Sequence, residues 1–221
     1  MNRRGGYANQ IRVIGGRWRS QRLRFPDLPG LRPTPDRVRE TLFNWLAPVL
    51  PGARCLDLFA GSGALGIEAL SRGAGEVVFI ESHAAAIGAL RDNLARLDAQ
   101  DARVEQADAQ AWLQQPATPF GIVLLDPPFG KGLLEPVCAL LEQGGWLTPT
   151  AWIYLEAEAE PARLLLPASW RPYREKTAGI VAYRLTRREK ISADPDCEAG
   201  NNLNTRMVAM PCGISDNPTH L

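Results

Sequence analysis

Cys55-Leu-Asp-Leu-Phe-Ala-Gly-Ser-Gly-Ala-Leu-Gly66 is the stretch on which the fold turns. Arg54 to Phe59 is a short apolar run carrying one acid, Asp57, and Gly61, Gly63 and Gly66 run into a helix-like Ala64 to Ser71. A strand, a tight glycine turn and a helix in that order let the backbone approach a ligand closely and aim N–H groups at it. A carboxylate at the end of a buried strand needs a partner to offset its desolvation. A cationic or hydroxyl-bearing ligand over the loop would supply one to Asp57. Gly61-x-Gly63-x-x-Gly66, with Glu81 further on, also fits a dinucleotide fingerprint. By itself the stretch specifies a nucleotide-like cofactor on a βαβ unit and leaves the cofactor open, against a glycine-rich turn that binds nothing.

A chain of 221 residues, 45% of them apolar, suits one ordinary domain with an appendage. No apolar run reaches the roughly 18 residues of a membrane span, and the N-terminal Met-Asn-Arg-Arg has no apolar segment behind it, so no secretory signal is expected. Cys55, Cys138, Cys197 and Cys212 are scattered and there are two histidines, so no structural metal site is expected and the reducing cytoplasm fits. The net charge of +1 hides a division. Residues 1–39 hold ten arginines against Asp27 and Asp36, whereas residues 40–160 hold sixteen acids against six bases. A basic arm on an acidic body implies a polyanionic partner, against an arm that is merely solvated. The arm's basic residues are all arginine, which forks onto phosphate and stacks on bases.

Along the chain, residues 1–9 are polar and are expected to be disordered. Ile11–Ile14 and Gln21–Phe25 read as a hairpin around Gly15-Gly16-Arg17-Trp18, with Arg22 and Arg24 on one face and Leu23 and Phe25 on the other. A helix is expected from Pro35, with Thr34 as its cap and Asp36 complementing the dipole. Its stripe Val38, Thr41, Leu42, Trp45, Leu46 reads as packing, which leaves Arg37 and Arg39 free to reach a ligand. Strands are then predicted at 54–59, 76–81, 102–106, 120–125 and 151–157, with helices at 64–72, 84–97, 109–114 and 132–143 between them. Residues 170–176 and 180–186 read as a closing antiparallel pair. This alternation is a doubly wound, Rossmann-like α/β sheet, mostly parallel, with an N-terminal hairpin-and-helix extension. The organisation expected is a basic extension over 1–50, a catalytic domain over 51–188 and a disordered tail over 189–221.

Ligands bind outside the C-terminal edge of such a sheet, where Asp57, Glu81 and Asp108 follow successive predicted strands. Asp57 and the loop Phe59, Gly61, Ser62, Gly63 would hold the amino-acid-like part of a cofactor. Glu81 would accept both hydroxyls of a ribose. Asp108 would accept from an adenine amino group, with the Ala109 N–H at the ring, although an acid there also suits a helix cap. The next strand runs into Asp126-Pro127-Pro128-Phe129. Two prolines fix the backbone and remove two donors. An acceptor-only edge remains, formed by the Asp126 carboxylate and the Pro127 carbonyl, beside the aromatic plate of Phe129. That edge suits a planar group bearing an NH₂.

The order of Asp57, the glycine loop, Glu81, Asp108 and Asp126-Pro-Pro-Phe129 resembles the S-adenosylmethionine-dependent amino methyltransferases of DNA and RNA. Longer strings match more closely. Arg12-Val-Ile-Gly-Gly-Arg-Trp18, Gly30-Leu-Arg-Pro-Thr-Pro-Asp-Arg-Val-Arg-Glu-Thr-Leu-Phe-Asn-Trp45, Phe59-Ala-Gly-Ser-Gly-Ala-Leu-Gly66 and the Arg174-Glu-Lys…Tyr183-Arg-Leu end are similar to the bacterial 16S ribosomal RNA guanine-N2 methyltransferases of the RsmD family. The resemblance covers roughly 10–188 and not the tail. It implies S-adenosylmethionine as cofactor, guanine N2 as target and the small ribosomal subunit as substrate. By family position Thr34 and Arg37 would approach the cofactor or the target. Asp126, Pro127 and Phe129 would be the catalytic set, and Arg12, Arg17, Arg19, Arg22 and Arg24 would grip RNA phosphate. A monomer without metal or membrane association is expected. The rival readings are a DNA amino methyltransferase, a nicotinamide-dependent oxidoreductase and a non-catalytic RNA-binding assembly factor.

Overall fold

In the computed structural model the described residues are 9–31, 33–159 and 164–189. The disorder expected of residues 1–9 and 189–221 lies outside them except at Asn9, which begins the first strand, and at Glu189, whose N–H donates to the Ser169 carbonyl at 2.9 Å. The chain opens with an antiparallel ribbon, β1 (Asn9–Arg12) and β2 (Arg22–Phe25), then helix α1 (Asp36–Leu46). Strand and helix then alternate: β3 (Arg54–Asp57), α2 (Ala64–Ser71), β4 (Glu76–Glu81), α3 (Ala84–Arg96), β5 (Ala102–Gln106), the short α4 (Ala109–Trp112), β6 (Phe120–Leu125), α5 (Leu134–Gln143) and β7 (Leu147–Glu158). β8 (Trp170–Ala178) and β9 (Val181–Arg188) close the sheet.

The seven strands lie in the order β5-β4-β3-β6-β7-β9-β8. β5 to β7 are parallel neighbours, and β9 runs antiparallel to both β7 and β8. The period of two along each strand sorts the core into two layers. Cys55, Val77, Phe79, Ile122, Leu124 and Tyr154 face α1, α2 and α3, together with Val13 and Leu23 of the ribbon. Leu56, Val78, Ile80, Val123, Leu125 and Ile153 face α4 and α5. The strand order reverses between β3 and β6. The crevice at such a reversal is where ligands bind, and Asp57 and Asp126 flank it.

The ribbon's second strand lies within one residue of its predicted bounds, and the first is displaced by two. β1 is Asn9–Arg12, not Ile11–Ile14, because the Ile14 and Gly15 N–H groups donate to the Glu68 carboxylate of α2, each at 2.8 Å. β7 begins earlier than predicted, at Leu147, and a bulge against β6 absorbs the extra residues before Trp152. α5 begins at Leu134, after Gly130 and Gly132 at positive φ. Arg39, expected to be free for a ligand, is fully buried. Its guanidinium donates to the carbonyls of Thr34 (3.2 Å) and Arg12 (2.8 Å) and to Asp36 (2.6 Å), and it lies 3.5 Å from Glu68. Among the described residues no helix is long and apolar enough to cross a membrane.

Candidate active site

Asp57 ends β3 and is 2% exposed. Its Oδ2 accepts from the Gly66 N–H of α2 at 2.9 Å, which ties the strand to the helix beneath the glycine loop. The loop is tight for a steric reason. Gly61 and Gly63 have φ of +50° and +77°, and a Cβ on them would lie 2.6 Å from Leu31 Cδ1 and 2.4 Å from Leu90 Cδ1 respectively. Only a residue without a side chain meets both demands. The first N–H groups of α2 lack intrahelical acceptors and open on the same crevice. Glu81, at the end of β4, braces the loop from the other side. Its Oε2 accepts from Gly61 N–H at 2.9 Å and its Oε1 from His83 N–H at 2.7 Å. Each carboxylate oxygen has a second acceptor site. Phe59 is half-buried and Ser62 is buried in this loop.

Asp108 caps α4: its Oδ1 accepts from Gln110 and Ala111 N–H, both at 3.0 Å. Ala109 follows, 7% exposed. The capping role foreseen for this acid is therefore the one its bonds show, and its Oδ1 is committed to the helix.

Asp126 continues β6 past Leu125, is partly buried, and accepts at Oδ2 from Thr34 Oγ1 at 3.1 Å. Thr34, expected to cap α1, does not. The cap position is Pro35, with no side-chain bond to the helix, and the Thr34 hydroxyl reaches the acid across the sheet edge instead. Pro127 is buried, and Phe129 projects with 38% of its surface exposed. In the register of β6 and β7, Leu125 faces Leu155, so Asp126 and Glu156 stand side by side at the strand ends. Glu156 is 3% exposed, and its Oε1 accepts from the Tyr154 hydroxyl at 2.7 Å. Neither Glu156 nor Tyr154 was picked out from the sequence. The available signal was an acid inside the otherwise apolar run Ile153-Tyr-Leu-Glu156, where an unpartnered charge is costly.

Burial is the first cause of the shift in each of these acids. Burial pushes the Asp57 carboxyl up to about 7, the Gly66 N–H opposing and Glu81 adding to the rise. Burial, then the neighbouring Glu156, holds Asp126 well above the ordinary carboxylate range; the Thr34 hydroxyl opposes this and Asp57 adds to it. Glu156 is raised by burial, against the Tyr154 and Thr34 hydroxyls. No basic side chain of the described residues offsets this cluster. Buried carboxyls without a cation of their own are a donor set that a positively charged ligand relieves. The expected RNA-binding side chains Arg12, Arg17, Arg19, Arg22 and Arg24 are all exposed, on the ribbon and its loop, as is Arg37 on α1. Arg12 lies 3.6 Å from Asp36, and the Arg17 guanidinium stacks 4.1 Å above the Trp18 ring.

The reversal of strand order, the glycine loop and the Asp-Pro-Pro-Phe turn at the end of β6 are the arrangement of a Rossmann-like methyltransferase. Within that class the chain belongs to the family of ribosomal RNA small subunit methyltransferase D. The family model described as Conserved hypothetical protein 95 matches residues 11–187. Ribosomal RNA small subunit methyltransferase D of Escherichia coli strain K12 is 57% identical over 182 residues, 82% of this chain and 92% of that protein. Its Haemophilus influenzae namesake is 45% identical over 180 residues, 80% of this chain and 93% of that protein. The solved structure of the Escherichia coli protein yhhF is 54% identical with a TM-score of 0.77, covering 82% of this chain and 99% of that one.

Proposed function

We propose that this chain transfers a methyl group from S-adenosylmethionine to the exocyclic N2 amine of a guanine in 16S ribosomal RNA, within the small-subunit particle. The observation that carries the reading is the acceptor edge at the end of β6. There Asp126, held by Thr34, precedes a proline pair that removes competing donors, with Phe129 exposed beside it. The family's printed names support ribosomal RNA of the small subunit as the substrate class.

S-adenosylmethionine, when bound, supplies an electrophilic methyl group on a cationic sulfur. The residues that would hold it are Asp57, Phe59, Gly61, Ser62 and Gly63 at the loop, Glu81 at the ribose, and Asp108 with Ala109 at the base. The amine of guanine is a poor nucleophile because its lone pair is delocalised into the ring. Asp126 and the Pro127 carbonyl accept from its two N–H groups, which favours a localised lone pair and stabilises the positive charge that develops on nitrogen. Phe129 stacks on the base and fixes its plane, so that positioning supplies much of the rate. As the N–C bond formed and the methyl–sulfur bond broke to leave a neutral thioether, the nitrogen would become acidic and Asp126 would take one proton. A carboxyl held above its ordinary range accepts that proton more readily than an ordinary one would. A base-paired guanine could not reach this edge, so the target is unpaired or flipped out.

The test is methyl transfer from radiolabelled S-adenosylmethionine to under-methylated small subunits, free 16S RNA and duplex DNA, followed by nucleoside analysis. Label in N2-methylguanine from RNA or the particle is expected. Label confined to DNA would leave the cofactor and replace the substrate. Asp126→Ala should abolish transfer, a drop of at least about 100-fold, with cofactor affinity little changed; full activity in that variant would falsify the role given to Asp126.

A further inference from the structure

The face of the sheet that carries α1, α2 and α3 is not covered to its end. Tyr183 of β9 stacks on Trp45 of α1, with ring centroids 5.7 Å apart, and beyond that row the side chains of β8, and Arg187 near the end of β9, stand open. The register places Arg187 opposite Trp152 on one side and Arg171 on the other, so all three share this face. Arg174 lies opposite Leu185 and Lys176 opposite Tyr183, again on this face. The pairing slips between Pro172 and Arg174, so Tyr173 is the extra residue of a bulge. A bulge re-aims a side chain, and Tyr173, 49% exposed, meets the half-buried Trp152 edge-on at 4.9 Å and 79°. The Arg174 guanidinium lies 5.1 Å over the Tyr173 ring, and that of Arg187 lies 5.8 Å over Trp152.

The signs of the charges say what this surface is for. Charged residues on an edge strand, lysine above all, guard against edge-to-edge pairing, but that task does not call for aromatic rings among them. On β8 itself sign and face are correlated, while β9 places Arg184 and Arg188 on the opposite face, each against an acid there. Arg171, Arg174 and Lys176 point to the open face, while Glu175 alternates to the opposite face, where it pairs with Arg184 at 2.9 Å. The acids on this face are the buried Glu156, opposite Tyr183, with Glu158 opposite Val181, and Glu189, just past β9 and 3.5 Å from Arg187. A basic row interleaved with two aromatic rings provides the two elements that hold single-stranded nucleic acid, a path for phosphate and plates for bases.

We propose that the open face of β8, with Trp152 and Arg187 beside it, is a second RNA-contact surface, in which Tyr173 and Trp152 stack an unpaired base while Arg171, Arg174, Lys176 and Arg187 hold its flanking phosphates. The inference rests on the ribosomal RNA reading of the active site. It lies on the same face of the sheet as the basic ribbon, at the other end, so the RNA is held on both sides of the helical layer.

Two variants of the full chain test it, with binding to free 16S RNA measured by fluorescence anisotropy over a salt series. Tyr173→Ala should weaken binding roughly 5- to 100-fold, and Tyr173→Trp should keep it, because stacking tolerates any aromatic plate. Arg171→Ala/Arg174→Ala/Lys176→Ala should reduce the slope of log affinity against log salt by about 2. Cofactor affinity and Tm should match the parent protein in each variant, since all four side chains are exposed. If the parent binds and methylates RNA while the alanine variants bind with the same affinity and salt slope, this surface is not an RNA site and the reaction stands. If the parent binds no RNA at all, the surface and the substrate reading fall together. Loss of self-association or of protein capture in the variants, with RNA binding intact, would reassign the face to a protein partner and overturn the proposal.

Discussion

Thr34 stands where a helix cap belongs, yet its hydroxyl donates to Asp126 Oδ2. That bond favours the ionised acid, so Thr34→Val should let Asp126 rise further and move the acid limb of kcat/KM to higher pH. The rate should fall roughly tenfold or more, as for loss of a hydrogen bond to a charged group, and Thr34→Ser should restore both. A pH–rate profile of Thr34→Val unchanged from the parent would detach Thr34 from catalysis. Asp57 makes a second prediction. Its carboxyl rises from 3.8 to about 7, so the folded state binds the proton more tightly than the unfolded chain. The cost of burying the charge is absent below pH 3.8, grows through the interval and is complete above about pH 7, where it is on the order of 4 kcal/mol. Asp57→Asn should therefore raise the Tm of the cofactor-free protein at pH 8, leave it unchanged near pH 3.5 and weaken cofactor binding. Equal melting of the two proteins at pH 8 would show that the Asp57 charge is already compensated. At this scale the sequence disclosed Asp57, Glu81 and Asp126 because strand ends are legible from apolar runs. It did not disclose the partner of Asp126, because Thr34 lies 92 residues away and a local role, capping, was open to it.

Elements were recovered wherever the pattern is local. β3 to β6 and α2 to α3 lie within a residue or two of their predicted bounds, because alternating strand and helix periods are written in consecutive residues. The ribbon's first strand moved because its partner is Glu68, 54 residues from Ile14 and on another element. Arg39 was misjudged for the same reason: only the folded chain brings Glu68 to within 3.5 Å of it. That buried pair joins α1, α2 and the ribbon, since Glu68 also accepts from Gly15 N–H at 2.8 Å and from Arg72 at 2.7 Å. Removing one partner leaves the other buried with a single opposite charge, Asp36 beside Arg39 or Arg72 beside Glu68. Arg39→Met and Glu68→Gln should each destabilise by about 1–3 kcal/mol, and the double variant should lose less than the sum of the two. Thermal unfolding of the three variants checks this, and simple additivity would show that the pair does not act as a unit.

Across the whole molecule the arm's charge is sorted by burial: Leu23 and Phe25 enter the core while Arg22 and Arg24 face out. Arg22→Ala/Arg24→Ala should weaken association with 16S RNA and shallow its salt dependence by roughly 1.5 in slope, leaving Tm close to the parent's. The division of charge was legible in the sequence. The second basic cluster, Arg171, Arg174 and Lys176 of β8 with Arg187 of β9, was not, because its members come from two strands and meet on one face only when those strands pair. The ribbon is also fastened by groups it does not own. Arg24 exchanges backbone bonds with the Asn93 amide at 3.0 and 2.7 Å, Ser71 takes the Trp18 N–H and donates to the Gly15 carbonyl, and Glu68 takes the Ile14 and Gly15 N–H groups. The receptors for the arm are thus built into α2 and α3 of its host. A chimaera that grafts residues 1–50 onto another methyltransferase would fail to seat them unless Glu68, Ser71 and Asn93 travelled too, so this arm and its scaffold can be exchanged only as a single inheritance.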